Sequence, residues 1–441
     1  MIRRFGLLLL MVASTGCFNF DAAYQTYCDA GRCAADGGGG TDGGTGGGAA
    51  TGGGGGSIGG GGGTTGGGGG TTGGGSGGGG GTIGGGGGST GGGGGTMDAG
   101  CPQFLCPVID YKYTNASSIY YVVAPGLYTE SLDRFLVYAS LERNAVGNAN
   151  YTQYELRFFD GGTPTVTNLT QAFGFDNRTE ARTVRGTGLN DLWYTYRTSA
   201  RHRTGSGSPA YADACRTPDG GVNDPWYYGV YPVNADEAWL VGYPMVICHW
   251  TRAGGYLETA VPTRQSVYLN DVYRTPAGDV YAVGGDYGTN QAACVIFRED
   301  GTQVSAPTLI DTWYYDGCSS IDGTGNDVYV VARDDGNQNG HILKLMPDGG
   351  FDSVYTASFV LSQLDVTPSG EVWAVGRSNA VAVYFDGGTW AEVPLPTTEN
   401  RFTVGWENIN ATPDGLVLSG WEREEDGGRS IIVNTYRLHG R

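Results

Sequence analysis

The chain has 441 residues, 83 of them glycine, with 44 acidic against 26 basic side chains and a net charge of −18. Three of the basic and five of the acidic residues precede residue 107, so the remainder alone carries −16. That balance repels nucleic acid and anionic lipid headgroups, which are excluded as partners of the body of the chain.

Arg3 and Arg4 lead into "FGLLLLMVA", too short to span a bilayer but with the charge and apolar run of an export signal. Ser14-Thr15-Gly16-Cys17 follows. Small residues ahead of a cysteine resemble the lipobox of bacterial lipoproteins. The resemblance implies removal of residues 1–16, lipidation of Cys17, and a membrane contact made through lipid at the outer membrane or cell surface. Ser14 departs from the commonest lipobox residue, leucine, and an ordinary signal peptide cut nearby is the alternative.

Setting Cys17 aside leaves Cys28, Cys33, Cys101, Cys106, Cys215, Cys248, Cys294 and Cys318. An even set in an exported chain reads as disulfides. Cys28–Cys33 and Cys101–Cys106 would be local loops at either end of the glycine tract. The last four have three pairings, of which proximity favours 215–248 with 294–318. Residues 17–36 form a short segment, and residues 37–100 are expected to be a disordered tether. Between 37 and 96, 42 of 60 residues are glycine, so the stretch has almost no apolar area to bury. A glycine-rich coil of that length spans about 43 Å r.m.s., at roughly 5–6 Å times the square root of its length.

From 101 to 441 the pattern is all-β, opening on the small Cys101/Cys106 loop. Short β-branched and aromatic runs recur between Gly, Asp, Asn and Pro turns. Six share a phrase: "NDLWYTY", "DEAWLVG", "GDVYAVG", "NDVYVVA", "GEVWAVG" and "DGLVLSG". They align Trp193, Trp239, Tyr281, Tyr329, Trp373 and Val417, with Phe135 of "DRFLVYA" as a weaker earlier copy. Spacings in the forties with four short strands per repeat predict a β-propeller of seven blades, or six if the copy at 133–140 is spurious. With strands lettered a to d outward from the centre, the shared phrase falls on strand b, and its acidic residue and glycine read as turn residues. The last repeat supplies only three strands, so residues 108–114 are expected to complete it and close the ring.

Lipobox, glycine tether and the repeat "EVWAVGRSNAVAVYFDGGTWAEV" (371–393) together resemble large surface lipoproteins of myxobacteria with kelch- or WD-like propeller repeats. That resemblance implies a propeller and surface attachment, and no known reaction.

No catalytic residue stands out. "YFDGGTW" lacks the serine and spacing of a sialidase box, and His202, His249, His341 and His439 form no ligand pair on one strand. No cofactor is required. The one metal-like loop, "DGNQNG", sets Asp335, Asn337 and Asn339 at alternate positions ahead of a glycine, as Ca2+ loops do, but lacks the closing acidic ligand. The d–a and b–c loops gather Trp226, Tyr227, Tyr287, Trp313, Tyr314 and Tyr315 with acidic neighbours. Flat rings beside carboxylates suit sugar rings or peptide aromatics, although such rings also pack between blades. The expected function is therefore a non-enzymatic binding platform for carbohydrate or protein. The alternatives are an enzyme acting on glycans (sialidase-, lyase- or glycosidase-like) and a scaffold subunit of an envelope complex.

Overall fold

The computed structural model describes residues 104–438, apart from 114–120, 146–147, 161, 176–179, 197–198, 206, 208–209, 213–225, 254, 259–265, 289–291, 312–316, 335–338, 377–380, 397–403 and 424–428. The expected signal, Cys17, Cys28, Cys33, Cys101, Cys215 and the tether lie outside them.

Among the described residues, twenty-eight strands form seven four-stranded antiparallel sheets. The innermost strands a are Tyr121–Ser131, Ala181–Gly188, Trp226–Asn234, Val267–Arg274, Cys318–Thr324, Leu361–Val366 and Val404–Thr412. The b strands are Arg134–Ala145, Asp191–Tyr196, Glu237–Tyr243, Val280–Asp286, Asp327–Asp334, Val372–Gly376 and Gly415–Arg423. The c strands are Asn148–Phe158, Ser199–Thr204, Val246–Thr251, Ala292–Arg298, Asn339–Leu345, Val381–Phe385 and Arg429–Leu438. Six d strands follow in order, Thr165–Asn168, Ala210–Ala212, Gly255–Glu258, Ile310–Asp311, Phe351–Ala357 and Trp390–Pro394. The seventh is Leu105–Tyr113, from the other end of the chain. The a strands touch one another in a closed cycle, blade 1 to blade 7 included. Seven blades are present, and Phe135 belongs to a true repeat.

Closure follows the expected route and begins three residues earlier. Leu105 pairs with Leu438 and Tyr113 with Ile431 along strand c of blade 7. The strand is also pinned sideways: Tyr111 meets Phe158 of blade 1 edge-on at 5.4 Å, and Phe104 lies 5.6 Å from Tyr384 of blade 6. Blade interfaces are largely apolar, although blades 1 and 2 also bury Glu155 against the Arg203 guanidinium at 3.1 Å and the Tyr194 hydroxyl. Phe135, Val137, Leu156 and Phe158 of blade 1 interleave with Val417, Ile431 and Val433 of blade 7, each worth about 1.5–3 kcal/mol of burial.

The shared phrase turns out to be a side-chain clamp. Its aromatic residue stacks on the directly opposite residue of strand c, and its acidic residue holds that partner's polar end. His202 lies on Trp193 at 4.3 Å and contacts Asp191 at 2.6 Å. His249 lies on Trp239 at 4.3 Å and contacts Glu237 at 3.0 Å. Tyr384 stacks on Trp373 at 4.2 Å and donates its hydroxyl to Glu371 at 3.0 Å. In blades 4 and 5 a cation fills the role, Arg298 over Tyr281 with Asp279, and Lys344 over Tyr329 with Asp327. Blade 1 keeps only the stack, Phe135 on Phe158, and blade 7 sets Val417 against Thr435. The acidic residue of the phrase is therefore a cross-strand partner as well as a turn residue. Its glycine is no turn residue at all: Gly242 and Gly284 lie inside strand b, where an added Cβ would stand 1.7 Å from the carbonyl oxygens of Trp226 and Tyr268.

Two smaller points correct the sequence reading. Helical periodicity is absent from the pattern, yet Leu169–Phe173 forms a short helix after blade 1, capped by Asn168, which accepts from the Gln171 N–H, and by left-handed Gly174. The expected fourth strand of blade 4 is reduced to Ile310–Asp311, and the stretch 302–309 before it runs beside strand c through only a few bonds, such as Val304 N–H to Ile296 O. Cys294 and Cys318 are disulfide-bonded, with Cα atoms 4.7 Å apart, tying strand c of blade 4 to strand a of blade 5. Cys106 and Cys248 are also in disulfides.

Candidate functional site

Strand polarity places the starts of a strands and the ends of b strands on one face, and the a–b turns on the other. On the first face, blades 3 and 4 carry a run of four half-buried rings. Trp226 opens strand a of blade 3 and is paired in register with Tyr243, at the end of strand b, their centroids 5.4 Å apart. Tyr243 stacks on Tyr268 of blade 4 at 4.0 Å and 18°. Tyr268 in turn meets Tyr287 at 4.5 Å. Beneath them Tyr228 is buried, with the Arg182 guanidinium 4.6 Å from its ring centre.

Backbone bonds hold the run in place. Met245 N–H donates to Val267 O across the blade boundary at 2.9 Å, which fixes the turn that carries Tyr243. Tyr287 N–H donates to Ser266 O at 2.9 Å. Asp286 accepts from Ser266 Oγ at 2.7 Å and Gly288 N–H at 3.0 Å, so a carboxylate stands beside the last ring. Rigid support of this kind limits the ordering entropy lost on binding.

The sequence-derived residues divide accordingly. Trp226 and Tyr287 belong to one surface, joined by Tyr243 and Tyr268, which sequence reasoning missed. Their signal was an aromatic residue directly after the phrase's glycine in blade 3, or opposite the glycine that follows it in blade 4. Tyr227 is buried with Trp193 and Ala200 in the blade 2–3 interface and packs there instead of facing outward. Trp313, Tyr314, Tyr315, Asp335 and Asn337 lie outside the described residues. Asn339 opens strand c of blade 5, opposite Asp334. Among the described residues no three His, Cys, Asp or Glu side chains are grouped to hold a metal ion.

A second feature lies at the a–b end of the central channel, a cavity of about 300 Å³. Its polar wall comes from residues directly opposite the strand-b anchors: Thr129, Arg185, Tyr231, Asp322, Asp365 and Asn410. Three aspartates link successive blades. Asp271 accepts from Ile321 N–H at 3.2 Å, Asp322 from Val366 N–H at 2.8 Å, and Asp365 from Ala411 N–H at 2.7 Å. Arg185 reaches Asp271 at 3.6 Å.

Burial, followed by the nearby charge of Asp365, pushes the Asp322 carboxyl well above the usual carboxylate range, against the pull of Arg185. Asp365 is raised by burial too, eased by the Ala411 N–H and by Arg185. Burial raises Asp271 against Arg185 and the backbone donors. Burial opposes the Arg185 charge, yet Asp271, Asp322 and Asp365 together hold its pKa above the usual value.

The arrangement of blades has solved counterparts. Virginiamycin B lyase from Staphylococcus aureus, in a catalytically inactive form with quinupristin, is similar at a TM-score of 0.53 and 12% identity, over 75% of this chain and 98% of that one. A selenomethionine-substituted form of that lyase gives 0.52 and 11% over the same shares. The fold is the β-propeller. The WD40 propeller domain of Doa1 is similar at a TM-score of 0.45 and 8% identity, over 73% of this chain and 97% of that one. No protein-family model matches the sequence, and no curated protein is similar to it. At such identities the likeness concerns the fold alone, and chemistry has to be argued from the residues.

Proposed function

We propose that this chain is a surface-anchored binding protein whose propeller captures carbohydrate on the ring run Trp226, Tyr243, Tyr268 and Tyr287. The observation that carries the reading is that run itself: four half-buried rings in mutual contact, held by backbone bonds, with Asp286 at one end. Sugar rings stack their C–H faces on such surfaces while a carboxylate accepts from their hydroxyls. Peptide aromatics are the second ligand class the same surface suits. Anchoring rests on the lipobox-like "STGC" and on the glycine tract, which would hold the propeller clear of the membrane.

A glycan array probed with the purified chain tests the capture reading, with each bound sugar then assayed for cleavage. Retention of intact sugars supports a platform, release of shortened ones an enzyme, and an empty array removes carbohydrate. The anchor is tested separately. Cys17→Ser should leave the membrane fraction, and unchanged fractionation of that variant would contradict it.

A further inference from the structure

In blades 2 to 7 strand a carries a bulge opposite the residue that stands three places after the strand-b anchor. The bulged residues are Arg182, Tyr228, Asn270, Ser319, Ser362 and Glu407, at one level of the ring. Three of them tie their blade to the next: Asn270 Nδ2 donates to Cys318 O at 3.0 Å, Ser319 Oγ to Ser362 O at 2.8 Å and Ser362 Oγ to Trp406 O at 2.7 Å. Arg182 makes no such bond. Its guanidinium crosses to blade 3 and lies 4.6 Å from the centre of the Tyr228 ring, which is itself 6.1 Å from Tyr268 of the ring run. Among the described residues Arg182 donates from Nη2 to Glu180, its Nε is buried without a partner, and its Nη1 bonds to nothing. The side chain is still 33% exposed. A bulge re-aims the side chain it carries. Here it sets an incompletely paired cation at the channel end of the run, while Asp286 stands at the other end.

Resting on the capture reading above, we propose that Arg182 sets the ligand class: the ring run takes glycans that carry a carboxylate, with the uronic acid unit at the channel end. A guanidinium offers five N–H donors in a planar fork that matches a carboxylate. Glu180 takes one of them and burial removes the Nε donor, which leaves both Nη1 donors and one on Nη2. Those form the end-on fork that grips two carboxylate oxygens at once. The Tyr228 face steadies the guanidinium, so little freedom is lost when a ligand arrives. A neutral sugar makes weaker bonds to the same donors, because a hydrogen bond between charged partners is about twice as strong. At the far end Asp286 accepts from hydroxyls and repels a carboxylate, so a chain with one acidic unit lies on the face in one direction. The acidity of the molecule as a whole opposes this little, since exposed charges beyond about 8 Å are screened at physiological salt.

The test is calorimetric titration of the full chain with oligosaccharides cut from polygalacturonate, alginate and glucuronoxylan. Each is paired with the same oligosaccharide after its carboxyls have been reduced to primary alcohols, which removes the charge and keeps the stereochemistry. An acidic form should bind roughly tenfold more tightly than its reduced partner, the size that hydrogen bonds to a charged group supply. Arg182→Gln should bring the acidic form down to the level of the reduced one. Glu180→Gln removes the competing negative charge and should tighten acidic binding, which keeps the test decisive if the first variant folds poorly. Equal or stronger binding of reduced forms, retention of neutral glycans alone on the array, or indifference to both substitutions would overturn the proposal and leave the capture reading in place. Binding of no glycan, acidic or neutral, would remove both.

Discussion

The two ends of this propeller solve the problem of surface chemistry in opposite ways. At one, blades 3 and 4 bring rings together from strand ends and loops, and the polar atoms beside them serve to hold those rings still. At the other, seven a strands converge on a small charged cavity whose aspartates hold the blades to one another. Aromatic area can be left half-exposed at modest cost, whereas a carboxylate taken into the channel must find donors. The ring end is consequently free to vary its contacts, while the charged end is tied to the integrity of the ring.

Removing what both ends share should give the largest effect. Deleting residues 104–113 leaves Arg429–Leu438 as a bare edge and takes away the Tyr111–Phe158 and Phe104–Tyr384 contacts. Loss of cooperative thermal unfolding, with aggregation, is expected. A variant that melts like the parent would show that closure contributes little. Trp373→Ala should come next. It empties a fully buried site and strips Tyr384 of its stacking partner, at a cost of about 3–5 kcal/mol by denaturant titration.

Asp322→Asn acts only at the charged end, and its effect is smaller and dependent on pH. The folded carboxyl is raised above its unfolded value of about 3.9, so between those values the folded state binds more protons than the unfolded one. Stability therefore falls as pH rises through that window, and the penalty is complete above the folded pKa. Melting curves from pH 4 to 8 should show a downward slope in the parent that flattens in the variant. Identical slopes would mean that Asp322 is ionised throughout the range.

These two ends also differ in how far the sequence discloses them. Blade number, strand order and ring closure could be read because the clamp repeats: Asp191-x-Trp193, Glu237-x-Trp239 and Glu371-x-Trp373 each need a stacked, acid-held partner on strand c, and that need preserves the spelling. Where the clamp is missing, at Val417 and Phe135, the repeat is faint. The 294–318 disulfide was visible from proximity, since neighbouring blades bring a c and an a strand side by side. The cavity was hidden for a geometric reason. Its wall residues sit six to eight positions before the anchor, a count changed in blades 1 to 3 by a bulge just before the a–b turn and in blade 6 by a longer turn. Aligning on the anchor therefore scatters Thr129, Arg185, Asp322, Asp365 and Asn410, which also differ in type. An isolated aspartate within "SSIDGT" and "SQLDV" was the available trace. Tyr227 was misplaced because strand alternation turns it inward beside an outward-facing Trp226, a distinction that composition alone does not make.

The smallest expected change in stability belongs to the ring end, and it is the most direct test of the central claim. The double variant Trp226→Ala, Tyr287→Ala removes the two outer members of the run and leaves Tyr243 stacked on Tyr268. Glycan capture and thermal melting should be measured on the same preparation. Capture should disappear while the melting temperature stays within a few degrees of the parent, since substitutions of half-exposed side chains rarely cost much more than about 1 kcal/mol. Retained capture, or a large fall in melting temperature, would contradict the account and make these rings part of the packing between blades.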